Sequence, residues 1–413
     1  MAPITRDGVD LGLPFTEAEY RDRARRVRDE MARRDVDVLL VLSPANLYYL
    51  TGFESIWYPP RAPVGVIVAR EDERLLFVDY DRHRTLVERV ALFDDAVFYD
   101  YATAIDQLRA AVEDRGWSSA TIGVERWAAS PGAPLVDRIA EAIAATGANV
   151  VAGDWIADRV RLVKSEAELA CVRRASEIVD AAVESLGEYV RPGRTELEIA
   201  AHVNSEMAAR GGEEPAIRTM VSAGPDVWCR THSPPSRRPV AAGDVMYVDV
   251  CGVQSRYHVD VCRTFAIGCD HPAARAILEQ TAGSVDAVIA AVRPGDPLEV
   301  AQQAAEQYVF SRFDREQVWW VGGYALGIAM PPNWVGHTYL ANDAFERFTW
   351  EPGYVTNYEN ILFGWDKPVH HSDERRSGYT ASYMETLLMT EHGIEVLSTV
   401  PRTLTVLAGS PAR

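Results

Sequence analysis

Along the first 160 residues the apolar positions switch repeatedly between a helical and a strand-like period. Residues 18–34 place apolar side chains three and four apart among charged ones, which predicts an amphipathic helix. Residues 35–42 close on Val38-Leu39-Leu40-Val41-Leu42, an apolar run far too short to cross a bilayer and suited to a buried strand. Further strands are predicted at 64–69, 74–79, 96–101 and 120–124, with helices at 82–90, 104–115 and 134–146. Such alternation is expected of a layered α/β unit. No glycine-rich phosphate cradle interrupts it, so a nucleotide site is not expected.

A boundary falls near residues 155–164, and we place the domains at 1–158 and 159–413. Ser165, with Glu168 three residues on, supplies a capping box for a long helix reaching about Tyr189. An internal echo follows. A helix ending in Val190-Arg191-Pro192-Gly193 precedes Thr195-Glu196-Leu197-Glu198 and a second helix. Val292-Arg293-Pro294-Gly295 then precedes Pro297-Leu298-Glu299-Val300 and another. Pro-Gly after a helix is a common stop signal, but the repeated order points to a duplicated half. Two α/β halves imply a pseudo-symmetric domain with a cleft between them, a natural place for a site.

Composition narrows the classes. The chain has 413 residues, and 60 acidic against 42 basic side chains give a formal charge of −18. That balance argues against nucleic acid, whose binders concentrate Lys and Arg. The polar N-terminus lacks an apolar signal core, so a cytoplasmic protein without a membrane partner is expected. Five cysteines (Cys171, Cys229, Cys251, Cys262, Cys269) contain no Cys-x-x-Cys pair and read as reduced thiols.

Chemistry enters with acids in apolar strands. Asp249 lies in Met246-Tyr247-Val248-Asp249-Val250-Cys251, and Asp260 in Tyr257-His258-Val259-Asp260-Val261-Cys262. Strands disfavour Asp, and a core excludes it unless it is paired or liganded. On neighbouring hairpin strands the two carboxylates would need a cation or a shared proton. A metal is one answer, Arg263 another, and an Asp turned to solvent a third. Glu359 and Glu385 sit in comparable apolar runs, and four strand-borne carboxylates would suit a divalent cation such as Mn²⁺.

These motifs resemble the creatinase, aminopeptidase P and methionine aminopeptidase superfamily of the pita-bread fold. The resemblance covers about 160 to 405, with a creatinase-type N-terminal α/β domain before it. It rests on Arg161-Leu162-Val163-Lys164-Ser165, the Asp249 and Asp260 hairpin, Pro352-Gly353 leading to Glu359, and Glu385 before Thr390-Glu391-His392-Gly393. The resemblance implies Asp249, Asp260, Glu359 and Glu385 as metal ligands, and His232 as a residue that contacts substrate or handles protons. The family's metallopeptidases also use a histidine in a Gly-His-Gly-type turn, where this chain has Gly323-Tyr324-Ala325-Leu326-Gly327. Tyr324 is a poor ligand, because a neutral phenol has a reference pKa of about 10. The site is therefore expected to hold Mn, Co, Zn or Fe at weakened affinity, with His337 able to swing in, or no metal.

The stretch from Tyr324 to Pro331-Pro332-Asn333-Trp334 looks most like the ectoine hydrolase branch, which opens a small cyclic amidine. The favoured reading is an ectoine hydrolase- or creatinase-like enzyme cleaving a C–N bond in a small amino-acid derivative. Glu359 or Asp260 would activate water, His232 would protonate the departing nitrogen, and Tyr324 would stabilise the oxyanion. The alternatives are a metal-dependent Xaa-Pro dipeptidase or aminopeptidase, a lyase, and a silent binding member of the fold. Trp228 and Trp334, with Arg263 and His337, are expected to bind a zwitterionic or cationic substrate, since Trp faces attract cations. The resemblance also implies a homodimer in which a partner's N-terminal domain helps close the site, with Trp57, Tyr58 and Arg61 as candidates.

Overall fold

The alternation read from the first 160 residues becomes a six-stranded sheet flanked by helices. The computed structural model describes residues 3–127, 130–225, 227–331, 334, 336, 338–341, 347–365 and 378–407. The chain divides into two compact units, Met1–Arg161 and Leu162–Arg413.

The first unit opens with a short hairpin, β1 (Thr5–Arg6) and β2 (Val9–Asp10), then α1 (Glu17–Arg33), β3 (Val38–Val41) and α2 (Pro44–Thr51). It continues with β4 (Gly65–Ala69), β5 (Leu75–Tyr80), α3 (Arg84–Val90), β6 (Asp95–Tyr99) and α4 (Ala104–Asp114). Then come β7 (Thr121–Val124), α5 (Ala133–Ala144), β8 (Asn149–Ala152) and α6 (Ile156–Leu162). The strand order is β6-β5-β4-β3-β7-β8. Five elements are absent from the periodicity reading: the short β1 and β2, α2, β8 and α6. Helix α2 follows the apolar β3 with seven of its eight residues buried, so it shows no amphipathic stripe. The boundary expected at 158/159 falls inside α6. Arg161 hydrogen-bonds Asn46 and so belongs with the first unit.

The second unit repeats one motif twice. Its first half holds α7 (Glu166–Glu184), α8 (Leu186–Tyr189), α9 (Glu196–Ala209), β9 (Met220–Ala223), β10 (Val245–Gln254) and β11 (Tyr257–Ile267). Its second half holds α10 (Pro272–Ala291), α11 (Glu299–Phe310), β12 (Val318–Gly322), β13 (Val355–Trp365) and β14 (Gly378–Thr390), trailed by β15 (Gly393–Val396) and β16 (Thr405–Leu407). The capping box at Ser165 and Glu168 is formed, and a second one joins Thr195 to Glu198.

The sheet runs β12-β13-β14-β11-β10-β9, so each half contributes three strands and the halves meet at β14 and β11. The two Val-Arg-Pro-Gly turns are equivalent in space as well as in sequence. Gly193 and Gly295 both have left-handed φ, at 96° and 91°. Their N–H groups donate to Val240 O and Trp350 O, and the bridges Thr195↔Pro239 and Pro297↔Thr349 follow. The observed architecture is the expected pita-bread domain behind a creatinase-type α/β domain. Among the described residues no helix is long and apolar enough to cross a membrane.

Candidate active site

Strand alternation decides which acids share a surface, because directly opposed residues of an antiparallel pair point to the same face. Asp249 lies opposite Cys262, Cys262 opposite Met384, and Met384 opposite Glu359. These four form one row across β10, β11, β14 and β13. A second row pairs Cys251 with Asp260 and Asn357 with Thr386. Asp260 N–H donates to Thr386 Oγ1 at 2.8 Å, joining the two pairs. Helix α7 covers the opposite face, where Gly252 admits the Ala175 carbonyl so closely that an added Cβ would stand 2.3 Å from it.

Asp249, Cys251 and Asp260 are buried and offer one ligand atom each within 4.8 Å of one another. Tyr247 donates its hydroxyl to Asp249 Oδ2 at 3.0 Å, and the Cys251 thiol lies 3.8 Å from Asp260 Oδ1. Asn357 Nδ2 bridges the acids, donating to Glu359 Oε1 at 2.6 Å and Asp260 Oδ2 at 3.2 Å. Its Oδ1 accepts the Tyr324 backbone N–H at 2.7 Å. Tyr324 Oη in turn accepts from Trp334 Nε1 at 2.9 Å. The loop carrying Tyr324 is thus pinned to β13 by the amide that links the two carboxylates.

Burial sets the electrostatics. It raises Asp249 well above the ordinary carboxylate range, and the neighbouring Asp260 adds to the rise. Asp260 is also raised by burial, but hydrogen bonds from Asp249, Asn357 and Cys251 oppose the shift. Asp249 and Asp260 therefore titrate as one coupled pair, in which burial and mutual repulsion favour a shared proton. Glu359 is pushed up to about 8, first by burial and then by Asp260, against donation from Tyr324 and Asn357. The Tyr324 phenol is raised well above its usual value, chiefly by burial and then by Glu359 and Asp260. It remains a neutral donor.

Two expected site residues lie elsewhere. Glu385 stands opposite Tyr358, so it faces away from Asp249, Asp260 and Glu359 and is no ligand with them. Arg263 shares that other face, where Nη2 meets Glu385 Oε1 at 2.8 Å and the same guanidinium donates to Cys262 O, Met384 O and Val400 O. Only 2% exposed, it neither binds substrate nor pairs directly with the aspartates. One step of register separates the two faces, and it leaves Met384 at the site.

The expected aromatic residues fall into two separate clusters. Trp228 packs edge-on against Phe363 and Trp365. Trp334 meets Tyr324 and the ring of His258 edge-on. His258, buried, has its pKa lowered to about 3 by desolvation; its Nδ1 faces Arg256 O and its Nε2 accepts Ala216 N–H, so it is a structural imidazole. His232 is exposed on the loop between β9 and β10, with its ring edge-on to Trp319 at 5.1 Å. Trp57 belongs to the first unit, half-exposed beside Tyr80 and His83. His337 lies outside the described residues.

Asn357, Cys251 and Met384 were not singled out by the sequence reading. Each was within reach of a period-two argument, since Cys251 is two from Asp249 and Asn357 two from Glu359. Met384 needed the cross-strand register. Of the thiols, Cys251 and Cys262 are buried, Cys171 half-buried and Cys269 exposed.

Comparison with known proteins agrees with this architecture. Residues 170–391 match metallopeptidase family M24, and residues 23–163 match the Creatinase/Prolidase N-terminal domain. The ectoine hydrolase of Halomonas elongata is 25% identical over 96% of this chain and 100% of its own length. The Xaa-Pro dipeptidase of Pyrococcus furiosus is 23% identical over 67% of this chain and 73% of its own. Among solved structures, the X-Pro aminopeptidase of Thermotoga maritima superposes with a TM-score of 0.76 at 20% identity, covering 93% of this chain and 99% of that one. A prolidase from Thermococcus sibiricus gives 0.79 at 18%, covering 94% and 99%. The chain belongs to metallopeptidase family M24 and is a hydrolase acting on C–N bonds.

Proposed function

We propose that this enzyme hydrolyses a C–N bond in a small cationic or zwitterionic amino-acid derivative, a cyclic amidine of the ectoine type being the reference substrate. The observation that carries the reading is the floor of the site. Where the resemblance calls for a ligand histidine stands Tyr324, and the site-facing position on β14 is Met384 rather than a carboxylate. Three buried carboxylates remain, with Tyr324 and its partner Trp334 beside them. A cation over such rings gains about 0.5–2 kcal/mol per contact, and the carboxylates add charge complementarity.

The donor set suits one divalent cation, since Asp249, Asp260 and Glu359 with the Cys251 thiol offer three acidic groups on one surface. Tyr324 and Met384 provide no charge for a second. Bound there, a Mn, Co, Zn or Fe ion would supply a Lewis acid.

The protein's own groups supply the proton chemistry. Asp260, oriented by Asn357 on the shared face, takes a proton from the attacking water. Asn357 holds Asp260 and Glu359 in a fixed relation, and Tyr324, oriented by Trp334, donates to the developing oxyanion. His232 returns a proton to the leaving nitrogen. The exposed Ile56 and Trp57 favour a homodimer as the working form.

The test is turnover of ectoine and of a Gly-Pro dipeptide, before and after exhaustive chelation, with metal content measured on the purified protein. Ring opening with the mass gain of one water, in protein holding at most one metal ion per chain, is expected. Chelator-sensitive Gly-Pro cleavage with two bound metal ions would instead establish the Xaa-Pro peptidase. A product formed without water would establish a lyase.

A further inference from the structure

His232 lies on an exposed loop and has a left-handed backbone, with φ of 67° in a non-glycine residue. L side chains rarely adopt that conformation unless the surroundings over-determine it. The surroundings here converge on one carboxylate. Glu196, the first residue of α9, is fully buried and accepts five hydrogen bonds. Arg230 Nη1 and Nη2 donate to its two oxygens at 2.7 Å each. Ser236 donates its N–H at 2.9 Å and its hydroxyl at 2.7 Å, and Ala223 N–H donates at 2.9 Å. Arg230 is two residues before His232 and Ser236 four after it. One side chain therefore fastens the loop on both sides of the histidine and ties it to the end of β9. The Ser233 N–H to Arg230 O bond, at 2.8 Å, closes the turn between them.

The internal duplication supplies a control. Glu196 N–H donates to Arg238 O, and in the second half Leu298 N–H donates to Phe348 O in the same way. Thr195 and Pro297 form the equivalent bridges, so Leu298 occupies the place of Glu196. Leu298 is fully buried and apolar. The fold thus builds this corner without a carboxylate in one half, and the acid appears in the half whose loop carries His232. A buried carboxylate is costly to desolvate, and its ion pair with Arg230 is weak evidence of a stability role.

We propose that Glu196 is a positioning residue that holds His232 for proton transfer, acting through Arg230 and Ser236. This rests on the role given to His232 above. It adds to the machinery a residue that the site's own floor does not contain.

The test compares Glu196→Gln, Arg230→Lys and His232→Asn with the parent enzyme. Histidine ring signals are recorded with ¹⁵N labelling, and the His232 signal is identified as the one lost in His232→Asn. In folded Glu196→Gln protein that signal should shift or broaden, and amide exchange across 230–236 should rise at least tenfold while β10 and β11 stay protected. Should Glu196→Gln not fold, the same changes are expected in Arg230→Lys, which keeps the charge and loses the fork. An unchanged His232 signal with unchanged loop exchange overturns the proposal. Turnover separates the two levels. If His232→Asn is slowed and adding Glu196→Gln slows it no further, Glu196 acts through His232. Multiplicative losses refute that. Full activity of His232→Asn refutes the role of His232 itself, whatever Glu196 does to the loop.

Discussion

Replacing Asn357 with leucine isolates the amide that ties the site together. The side chain is fully buried and makes three hydrogen bonds: to Glu359, to Asp260 and from the Tyr324 backbone. A hydrogen bond to a charged group contributes about 1.5–3 kcal/mol, and a stranded buried N–H costs about 1–3 kcal/mol. Both acids have raised proton affinity, so the two carboxylate bonds count at the low end and share one donor nitrogen. The loss is then about 3–4 kcal/mol. For a unit of this size, Leu162–Arg413, each kcal/mol moves the melting temperature by about 2–4 °C, which predicts a fall of roughly 6–16 °C. Asn357→Asp keeps the acceptor for Tyr324 but adds a fourth acid. Its pKa would be raised by burial and by its neighbours, so its protonated form is the compatible one. That stability is present below the unfolded pKa and is lost as pH rises through the folded value. Calorimetry at pH 5 and pH 8 reads both effects. A fall below 2 °C for the leucine variant, or an aspartate variant indifferent to pH, would refute the account of the bridge.

Other outcomes follow from the same geometry. Pairing Tyr324→His with Met384→Glu should raise bound divalent metal from at most one ion to two per chain by elemental analysis; an unchanged ratio would show that Met384 does not face the site. Glu385→Gln should leave metal affinity unaltered while Asp249→Asn lowers it at least tenfold, and equal effects would contradict the face assignment. Arg263→Met leaves buried Glu385 with only the more distant Arg402, at 3.8 Å, and should cost about 3–5 kcal/mol in chemical denaturation; a loss under 1 kcal/mol would deny the buried pair its weight. In the first unit, burial raises Glu125 to about 8 and Asp79 to about 6. Folded protein then binds more protons than unfolded, so the melting temperature of this unit should fall as pH rises from about 5 to about 8. A Glu125→Gln variant with the parent's full slope would assign that slope to other groups.

Much of the site was legible because its residues are chemically out of place. An aspartate among valines on each arm of a hairpin marks Asp249 and Asp260 before any coordinates, and Glu359 stands out in the same way. Glu385 carries the same local signature and belongs to another cluster. Locally, a buried acid paired with Arg263 behind the sheet reads like one that faces substrate. Asn357 and Met384 are ordinary strand residues, and their importance comes from what stands opposite them on β14 and β13.

Most of the helices and strands of the first unit, the duplicated half and the identity of the polar residues follow from the chain alone, since periodicity, caps and turn residues act over a few positions. Which face each acid occupies does not. It depends on the pairing of β11, β13 and β14, whose paired residues lie up to 122 positions apart, as Cys262 and Met384 do. A shift of one residue in that register would exchange Met384 for Glu385 at the site. The same holds for His232, whose loop is fastened by a glutamate from α9. Long-range pairing turned a set of buried acids into a three-carboxylate floor, a back-face ion pair and a supported loop.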